Sequence, residues 1–313
     1  MWMQFPPLGI WKDSGSISRL EKTFIFLKEV IGKKNFESIS KKIGLDEKLF
    51  NCFEERKCKR VAAIDGSSCD ILDGEFFIIG GRRVGYVIAD DEKILERKIG
   101  EIKVDFLSKE SRMQGTKIPE NPHEINEMLR EMEEHLMARE AMKKLEKDDI
   151  LLIDGSLEGN EFVSKIMKEN FEMAHERGIH VVGISKKCGL AVKNVSIVNW
   201  VKRKGEKLFA NKRWYYPFSE GRYIVKFHPL SRFVFRVDMN EENEQVLGEI
   251  ATLCNDVCFL GYPYPLADVH NNVVIKSHDR LAIKTRLKKM MIESGFSMDD
   301  WETLFFDYHE YLR

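Results

Sequence analysis

The sequence lacks several features that would place a protein in a familiar class. No apolar run approaches the length that spans a membrane, and the first residues have no basic segment before an apolar one, so we expect neither a membrane anchor nor a secretory signal. The six cysteines form no CxxC pair and no zinc-finger spacing, which favours reduced thiols in the cytoplasm. A GxxxxGK[ST] phosphate-binding motif is also absent.

An excess of charge of one sign is missing as well. The 50 lysines and arginines are offset by 51 aspartates and glutamates, which leaves a formal net charge of -1. The whole chain therefore has no general attraction to a polyanion, and any contact with nucleic acid must come from local basic patches. With 313 residues, of which 43% are hydrophobic, the chain can build one large domain or two ordinary ones.

The sequence does contain one tetrapeptide, Ile-Asp-Gly-Ser, twice. It ends two apolar runs, VAAIDGSS at 61–68 and ILLIDGSL at 150–157. Such runs predict buried strands, each ending in an aspartate that a glycine follows. If the two strands are neighbours, Asp65 and Asp154 converge, and two like charges in a partly dry cleft favour a bound divalent cation. Two ordinary Asp-Gly turns are the alternative interpretation.

The order of strands and helices predicts an α/β protein. Short β-branched runs between 61 and 107, separated by glycine-containing turns, predict an antiparallel meander in which Asp65 lies on the first strand. A strand to Asp154, a helix over 158–177 and a strand over 179–186 predict a right-handed parallel crossover. The expected fold is a mixed sheet flanked by helices. We expect three parts: an N-terminal helical accessory segment over 1–58, a main domain over 59–290 and a C-terminal helix over 291–313.

A long helix predicted from about His123 to Glu146 offers several acids. Its apolar stripe consists of Ile125, Leu129, Met132 and Leu136. Glu140 lies about 50° from the centre of that stripe and is the acid best placed to face inward, with Glu133 second, whereas Glu134 is expected on the far side. A solvated glutamate paired with a lysine of the next turn is the alternative.

Other candidates lie further along the chain. Lys186 follows a strand at the same edge as Asp154, where its charge could neutralise a phosphate, and His270 falls in a helix that begins near Leu266. Basic residues interleaved with an aromatic ring, which suit single-stranded nucleic acid, are Lys202, Arg203, Lys204, Lys212, Arg213 and Trp214. A polar hairpin whose aromatics enter a core or a dimer interface explains that stretch equally well.

The order of these parts resembles the ribonuclease H-like fold, and within it the chain is similar to the NurA nucleases of DNA-end processing. Four motifs in order support this resemblance over roughly 60–280: VAAIDGSS, ILLIDGSL, VGISKK at 182–187 and GYPYPLADVH at 261–270. The resemblance implies a metal shell of Asp65, Glu140, Asp154 and His270, supported by Lys186 and Tyr262. Glu133 in place of Glu140, and Tyr264 in place of Tyr262, stay open.

The resemblance also implies an activity and partners. These are a Mn²⁺-dependent deoxyribonuclease, with Mg²⁺ as the other possible metal, that acts as a single-strand endonuclease and a 5′-to-3′ exonuclease in DNA end resection. A homodimer and a HerA-type hexameric ATPase are the implied partners, in the cytoplasm. The alternatives are another ribonuclease H-like nucleic-acid enzyme and a non-catalytic DNA-end adaptor. Serine hydrolysis through Ser67 or Ser156 is disfavoured because neither residue lies in GxSxG.

Overall fold

The structure of the protein is a computed structural model that describes residues 45–74, 76–111, 119–159, 161–186, 188–189, 191–192 and 195–305. The chain divides into a smaller unit, formed by 1–50 with 188–210, and a main unit, formed by 51–187 with 211–313. Most of the predicted accessory segment over 1–58 therefore lies outside the described residues. No helix within the described ranges is long and apolar enough to cross a bilayer.

The strands in chain order are β1 (Asn51–Cys52), β2 (Val61–Asp73), β3 (Phe77–Ala89), β4 (Ile94–Ile99), β5 (Lys103–Ser108), β6 (Ile150–Asp154), β7 (His180–Ser185), β8 (Ala191–Val192), β9 (Val195–Ser196), β10 (Trp214–Ser219), β11 (Arg222–Lys226) and β12 (Phe235–Met239). The helices are α1 (Pro122–Met142), α2 (Ser164–Arg177), α3 (Ile197–Leu208), α4 (Gln245–Thr252), α5 (Tyr264–Val273), α6 (Ser277–Glu293) and α7 (Met298–Phe305).

Ten strands of the main unit form one mixed sheet. Its order is β1-β10-β11-β12-β7-β6-β2-β3-β4, with β5 paired to β3. The central strand β6 runs parallel to both β2 and β7, and the outer pairs are antiparallel. Helix α2 connects β6 to β7, as the predicted crossover requires. The predicted fold class, a mixed sheet with a meander and a parallel crossover, is confirmed.

Both faces of this sheet are covered, because alternate residues of its central strands point to opposite sides. Val61 and Ala63 pack with residues of α4 and α5, whereas Ala62 and Ile64 pack with α1 and α2. Strand β6 alternates in the same way and is buried on both faces over 150–153. The two aspartates therefore extend rows of core residues rather than surface loops.

Two predicted strand boundaries are wrong. Strand β2 does not end at Asp65 but continues to Asp73, and residues 77–89, where the expected meander has a glycine-containing turn, form the single strand β3. The Gly80-Gly81 pair suggested a turn, yet both glycines are paired within the sheet. A Cβ atom at Gly80 would lie 2.8 Å from Asn126 Oδ1, so this glycine allows α1 to pack closely on the strand.

Helix α1 buries a different face from the one predicted. Leu136, expected in the apolar stripe, is exposed, and Glu134, expected on the far side, is buried. The buried face is formed by Ile125, Asn126, Met128, Glu134, His135, Ala138, Ala141 and Met142. Polar and small side chains occupy much of this face, so counting large apolar residues gave the wrong orientation. The site described below depends on this rotation.

Helices are also described outside the layers around this sheet. In the smaller unit, α3 buries Trp200 and Val201, and Ser196 caps its N-terminus by accepting a hydrogen bond from the Asn199 amide at 3.3 Å. In the main unit, the predicted C-terminal helix over 291–313 is interrupted near Gly295, whose φ is 94°, between α6 and α7. Trp301 of α7 is buried against Ile71 and Leu72 of β2. Residues 306–313 lie outside the described ranges.

Candidate active site

The two repeated aspartates lie side by side at the centre of the sheet. Strands β2 and β6 pair in parallel, with Ile64 opposite Ile153, so that Asp65 and Asp154 occupy the next positions along each strand. Alternation places both carboxylates on the face that α5 covers. Asp65 is buried, and one of its carboxylate oxygens, Oδ1, accepts a hydrogen bond from the Gly66 amide at 2.7 Å.

Helix α5 brings a histidine to this pair of carboxylates. Arg97 of β4 holds the helix by two hydrogen bonds to Asp268, at 2.9 and 2.7 Å. Arg83 of β3 donates from Nε to the backbone carbonyl of Val273 at 3.0 Å, at the other end of the helix. Anchored at both points, α5 directs His270 toward Asp65, and its Nδ1 lies 2.7 Å from Asp65 Oδ2.

Asp65, Asp154 and His270 offer three ligand atoms that all lie within 4.8 Å of one another. The distance from His270 Nδ1 to Asp154 Oδ2 is 4.0 Å, and Asp154 comes from a different strand than Asp65. Two carboxylates and one imidazole form a donor set that suits a divalent cation, and the nitrogen ligand favours Mn²⁺ over Mg²⁺. The three residues fit a metal site of that kind.

The electrostatics of the cluster follow from its burial. Burial raises the pKa of Asp154 above its usual range, the Asp65 carboxylate raises it further, and Lys186 acts in the opposite direction. The hydrogen bond to Asp65 raises the pKa of His270, although burial and Lys186 oppose this shift. Burial and the neighbouring carboxylate therefore both disfavour the ionised form of Asp154, and positive charge nearby favours it.

Lys186 and Tyr262 border the cluster, and Tyr264 does not. The Lys186 ammonium lies 2.5 Å from Asp154 Oδ2 and 5.1 Å from the centre of the Tyr262 ring. Burial and the nearby Asp154 raise the pKa of the Tyr262 hydroxyl, so this group stays protonated. The Tyr264 hydroxyl instead donates to the backbone carbonyl of Asp90 at 2.8 Å. Of the two registers that the sequence left open, the geometry favours Tyr262.

The structure does not bring Glu140 to the cluster. Its carboxylate lies 2.5 Å from Lys98 Nζ of β4, in an exposed ion pair. Glu133, the second choice, is paired with Arg82 at 3.5 Å and Lys103 at 3.2 Å. Neither acid belongs to the group formed by Asp65, Asp154 and His270, because α1 is rotated relative to the orientation that its leucines suggested.

Glu134 is the buried acid of α1 whose charge interacts with that of Asp65. It is buried, and its carboxylate pairs with Arg130 one turn earlier. Burial and the Asp65 charge raise the pKa of Glu134 to about 8, although Arg130 opposes the shift. A Cβ atom at Gly66 would lie 2.5 Å from Glu134 Oε1, so the carboxylate occupies the space above this glycine. In the sequence, the glycine that follows Asp65 was the signal that another element packs closely on the strand at this point.

The basic and aromatic residues proposed for nucleic-acid contact divide between the two units. In the main unit, Trp214 is fully buried in β10, and its predicted role in base stacking is wrong because no face of the ring is accessible. Arg213 forms an ion pair with Glu55 and donates a hydrogen bond to the backbone carbonyl of Phe227, whereas Lys212 is exposed.

In the smaller unit, the three basic candidates lie on α3 rather than in a hairpin. Lys204 Nζ is 2.6 Å from the Glu47 carboxylate, Lys202 is half-buried, and Arg203 is exposed. For these two residues, contact with nucleic acid stays a prediction.

A mixed sheet of this order, with Asp65 and Asp154 on its two central parallel strands, has the ribonuclease H-like fold that the sequence predicts. A family model described as the NurA domain matches residues 59–275. The chain belongs to the NurA family. No curated protein matches the chain.

Several solved structures share the fold. The NurA nuclease from Sulfolobus solfataricus is 17% identical, with 87% of this chain and 98% of that chain covered and a TM-score of 0.57. A NurA bound to dAMP and manganese is 13% identical, with coverages of 92% and 99% and a TM-score of 0.57. A NurA with manganese is 12% identical, with the same coverages and a TM-score of 0.55.

Proposed function

We propose that this protein is a metal-dependent deoxyribonuclease whose active centre is formed by Asp65, Asp154 and His270, with Glu134 as the acid contributed by α1. The observation that carries the proposal is the convergence of three ligand atoms within 4.8 Å, from two strands and a helix that are far apart in sequence. Membership of a family whose solved members include a nuclease and manganese complexes supports it.

The residues fit a divalent cation by charge as well as by donor type. Burial is the largest cause of the raised pKa values of Asp154 and Glu134, and the negative charge of Asp65 raises both further. A cation between them would favour their ionised forms. When bound, the metal supplies Lewis-acid chemistry, activating water and neutralising charge on a phosphodiester.

The protein's own residues orient the substrate and control charge. Lys186, held by Asp154, is placed to pair with a phosphate oxygen and to offset the negative charge that develops during hydrolysis. The Asp65 carboxylate fixes the ring orientation of His270 through Nδ1. The protonated hydroxyl of Tyr262 is available as a donor beside Asp154. This arrangement requires no nucleophile from the protein.

The finer activity that we propose is single-strand endonuclease and 5′-to-3′ exonuclease action with Mn²⁺, in the resection of DNA ends. The protein would work as a homodimer in the cytoplasm with a HerA-type hexameric ATPase. The catalytic domain would span 59–290, with accessory segments over 1–58 and 291–313. The family resemblance supports these assignments. The lack of a GxxxxGK[ST] motif fits a nuclease that depends on a separate motor.

End-labelled oligonucleotides test the proposal directly. Wild-type protein should cleave single-stranded DNA with Mn²⁺ and lose cleavage in EDTA. Asp154→Asn keeps the shape of the side chain but removes its charge, and it should reduce cleavage at least 100-fold while leaving the unfolding temperature within a few degrees of wild type. Full activity of Asp154→Asn, or cleavage that persists in EDTA, would contradict the proposed role of the cluster.

A further inference from the structure

A cavity of about 600 Å³ opens beside the candidate active site and shares Lys186 and Tyr262 with it. Its other walls come from two loops, 230–235 before and at the start of β12, and 257–260 before α5. Large apolar side chains that are exposed to solvent there are Leu230, Phe233, Val257 and Phe259. A cluster of large apolar side chains exposed to solvent is a common mark of a binding surface.

The loop that carries Phe233 is held in one shape. The Phe233 amide donates to Ser231 Oγ at 3.1 Å, and the Ser231 amide donates to the His228 carbonyl at 3.1 Å. Ser231 is buried against Gly261, where a Cβ atom would lie 2.5 Å from Ser231 Oγ. Because these contacts fix the backbone before any ligand arrives, little conformational entropy remains to be lost on binding.

The charges around the cavity are positive. The Arg232 guanidinium lies 5.8 Å from the centre of the Phe233 ring, and none of the described carboxylates pairs with it. Lys186, paired with Asp154, is the other cation of the lining, and no acidic residue is among those that line the walls. The cavity therefore combines accessible aromatic faces with cationic side chains, which is the combination that binds unpaired nucleotides.

The wall of the cavity is continuous with the catalytic cluster. Lys186 Nζ lies 2.5 Å from Asp154 Oδ2 and 5.1 Å from the centre of the Tyr262 ring. The Tyr262 ring in turn lies 5.3 Å from the ring of Phe235. A strand whose phosphate contacts Lys186 would therefore place the adjoining nucleoside against this aromatic wall.

We propose that the cavity binds an unpaired nucleobase of the strand whose phosphate lies at the active site, with Phe233 as the stacking residue. The inference rests on the proposed nuclease function and adds to it the side chain that holds a base of the substrate. A base inside a duplex has both faces covered by its neighbours, so it cannot present a face to Phe233. The cavity thus supplies a preference for single-stranded DNA near the cleavage point.

Binding of the full-length protein to labelled oligonucleotides in EDTA tests the subsite without cleavage. Fluorescence anisotropy would compare a single-stranded oligonucleotide with the same oligonucleotide made abasic at its central positions. We expect Phe233→Ala to weaken binding of the normal oligonucleotide about tenfold and of the abasic one less than twofold. Phe233→Trp should restore the preference. Phe106→Ala is the matched control, because Phe106 of β5 is 58% exposed, as is Phe233.

The outcomes separate the two proposals. If the wild type cleaves DNA but Phe233→Ala binds both oligonucleotides as the wild type does, the nuclease stands, the base subsite is overturned, and a protein partner becomes the better occupant. Equal weakening of both oligonucleotides by Phe233→Ala overturns the subsite as well. If the wild type discriminates between normal and abasic DNA but cleaves neither with Mn²⁺, the subsite stands and the nuclease proposal fails.

Discussion

The tetrapeptide Ile-Asp-Gly-Ser occurs at 64–67 and again at 153–156, and the two copies fold differently. The first lies inside the 13-residue strand β2, which continues past it to Asp73. The second ends β6, and its Gly155 turns the chain with a φ of 136°. Identical local sequence therefore supports a continued strand in one place and a turn in the other.

The two glycines of these copies serve different purposes. Gly66 is needed because α1 packs on it, with Glu134 Oε1 only 2.5 Å from where a Cβ atom would lie. Nothing lies within 4 Å of a Cβ atom at Gly155, but its positive φ is a conformation that other residues adopt only with strain. The copies also differ in partner, since Asp65 holds an imidazole and Asp154 an ammonium group. Tertiary packing, not the local sequence, assigned these roles.

The largest expected effect concerns Glu134, which packs on Gly66 of the first copy. Glu134→Gln should lower Mn²⁺-dependent cleavage by about 100-fold, because it removes a buried carboxylate beside Asp65. Glu140→Gln, on the same helix but in an exposed ion pair, should leave cleavage within twofold and change the free energy of unfolding by less than about 0.5 kcal/mol. Steady-state cleavage assays and urea unfolding would measure both. The opposite ranking would restore Glu140 as the helix acid.

A second prediction separates the two glycines. Gly66→Ala and Gly155→Ala should each destabilise the protein by about 1–3 kcal/mol, the first by overpacking and the second by backbone strain. In a Glu134→Ala background, the cost of Gly66→Ala should shrink, because the nearest side chain is gone and only Val84 Cγ1, at 2.9 Å, is left, whereas the cost of Gly155→Ala should not change. Urea unfolding of the two double-mutant cycles gives these coupling energies. Equal coupling of both glycines to Glu134 would remove the distinction.

The smallest expected effect concerns how the stability of the metal-free protein depends on pH through Asp65 of the first copy. Because the hydrogen bond to Asp65 raises the pKa of His270 in the folded state, this pair stabilises the fold fully below the unfolded pKa of about 6.5. Its contribution is lost as the pH rises through the folded pKa. Asp65→Asn should lower the His270 pKa, measured by NMR titration, more than Asp154→Asn does. An equal effect of both substitutions would show that the aspartates share the histidine.

Much of this arrangement could be predicted from the sequence, because local patterns determine it. The apolar runs before Asp65 and Asp154 indicated buried neighbouring strands, and the motif GYPYPLADVH placed His270 on a helix. What could not be predicted is the orientation of α1. Its buried face contains Glu134, His135 and Asn126, and their burial depends on partners in other elements, such as the contact of Asn126 Oδ1 with Arg82. The spacing of hydrophobic residues in a sequence gives no information about such polar pairs.

Metal binding tests the central claim most directly, because it measures the affinity of the cluster for the ion without requiring substrate. Calorimetric titration of the metal-free protein with Mn²⁺ should give saturable binding for the wild type, at least 100-fold weaker binding for Asp65→Asn and Asp154→Asn alike, and unchanged binding for Glu140→Gln. The two copies of the tetrapeptide would then contribute to one ion despite their different folds. Unchanged Mn²⁺ affinity in both aspartate variants would contradict the account.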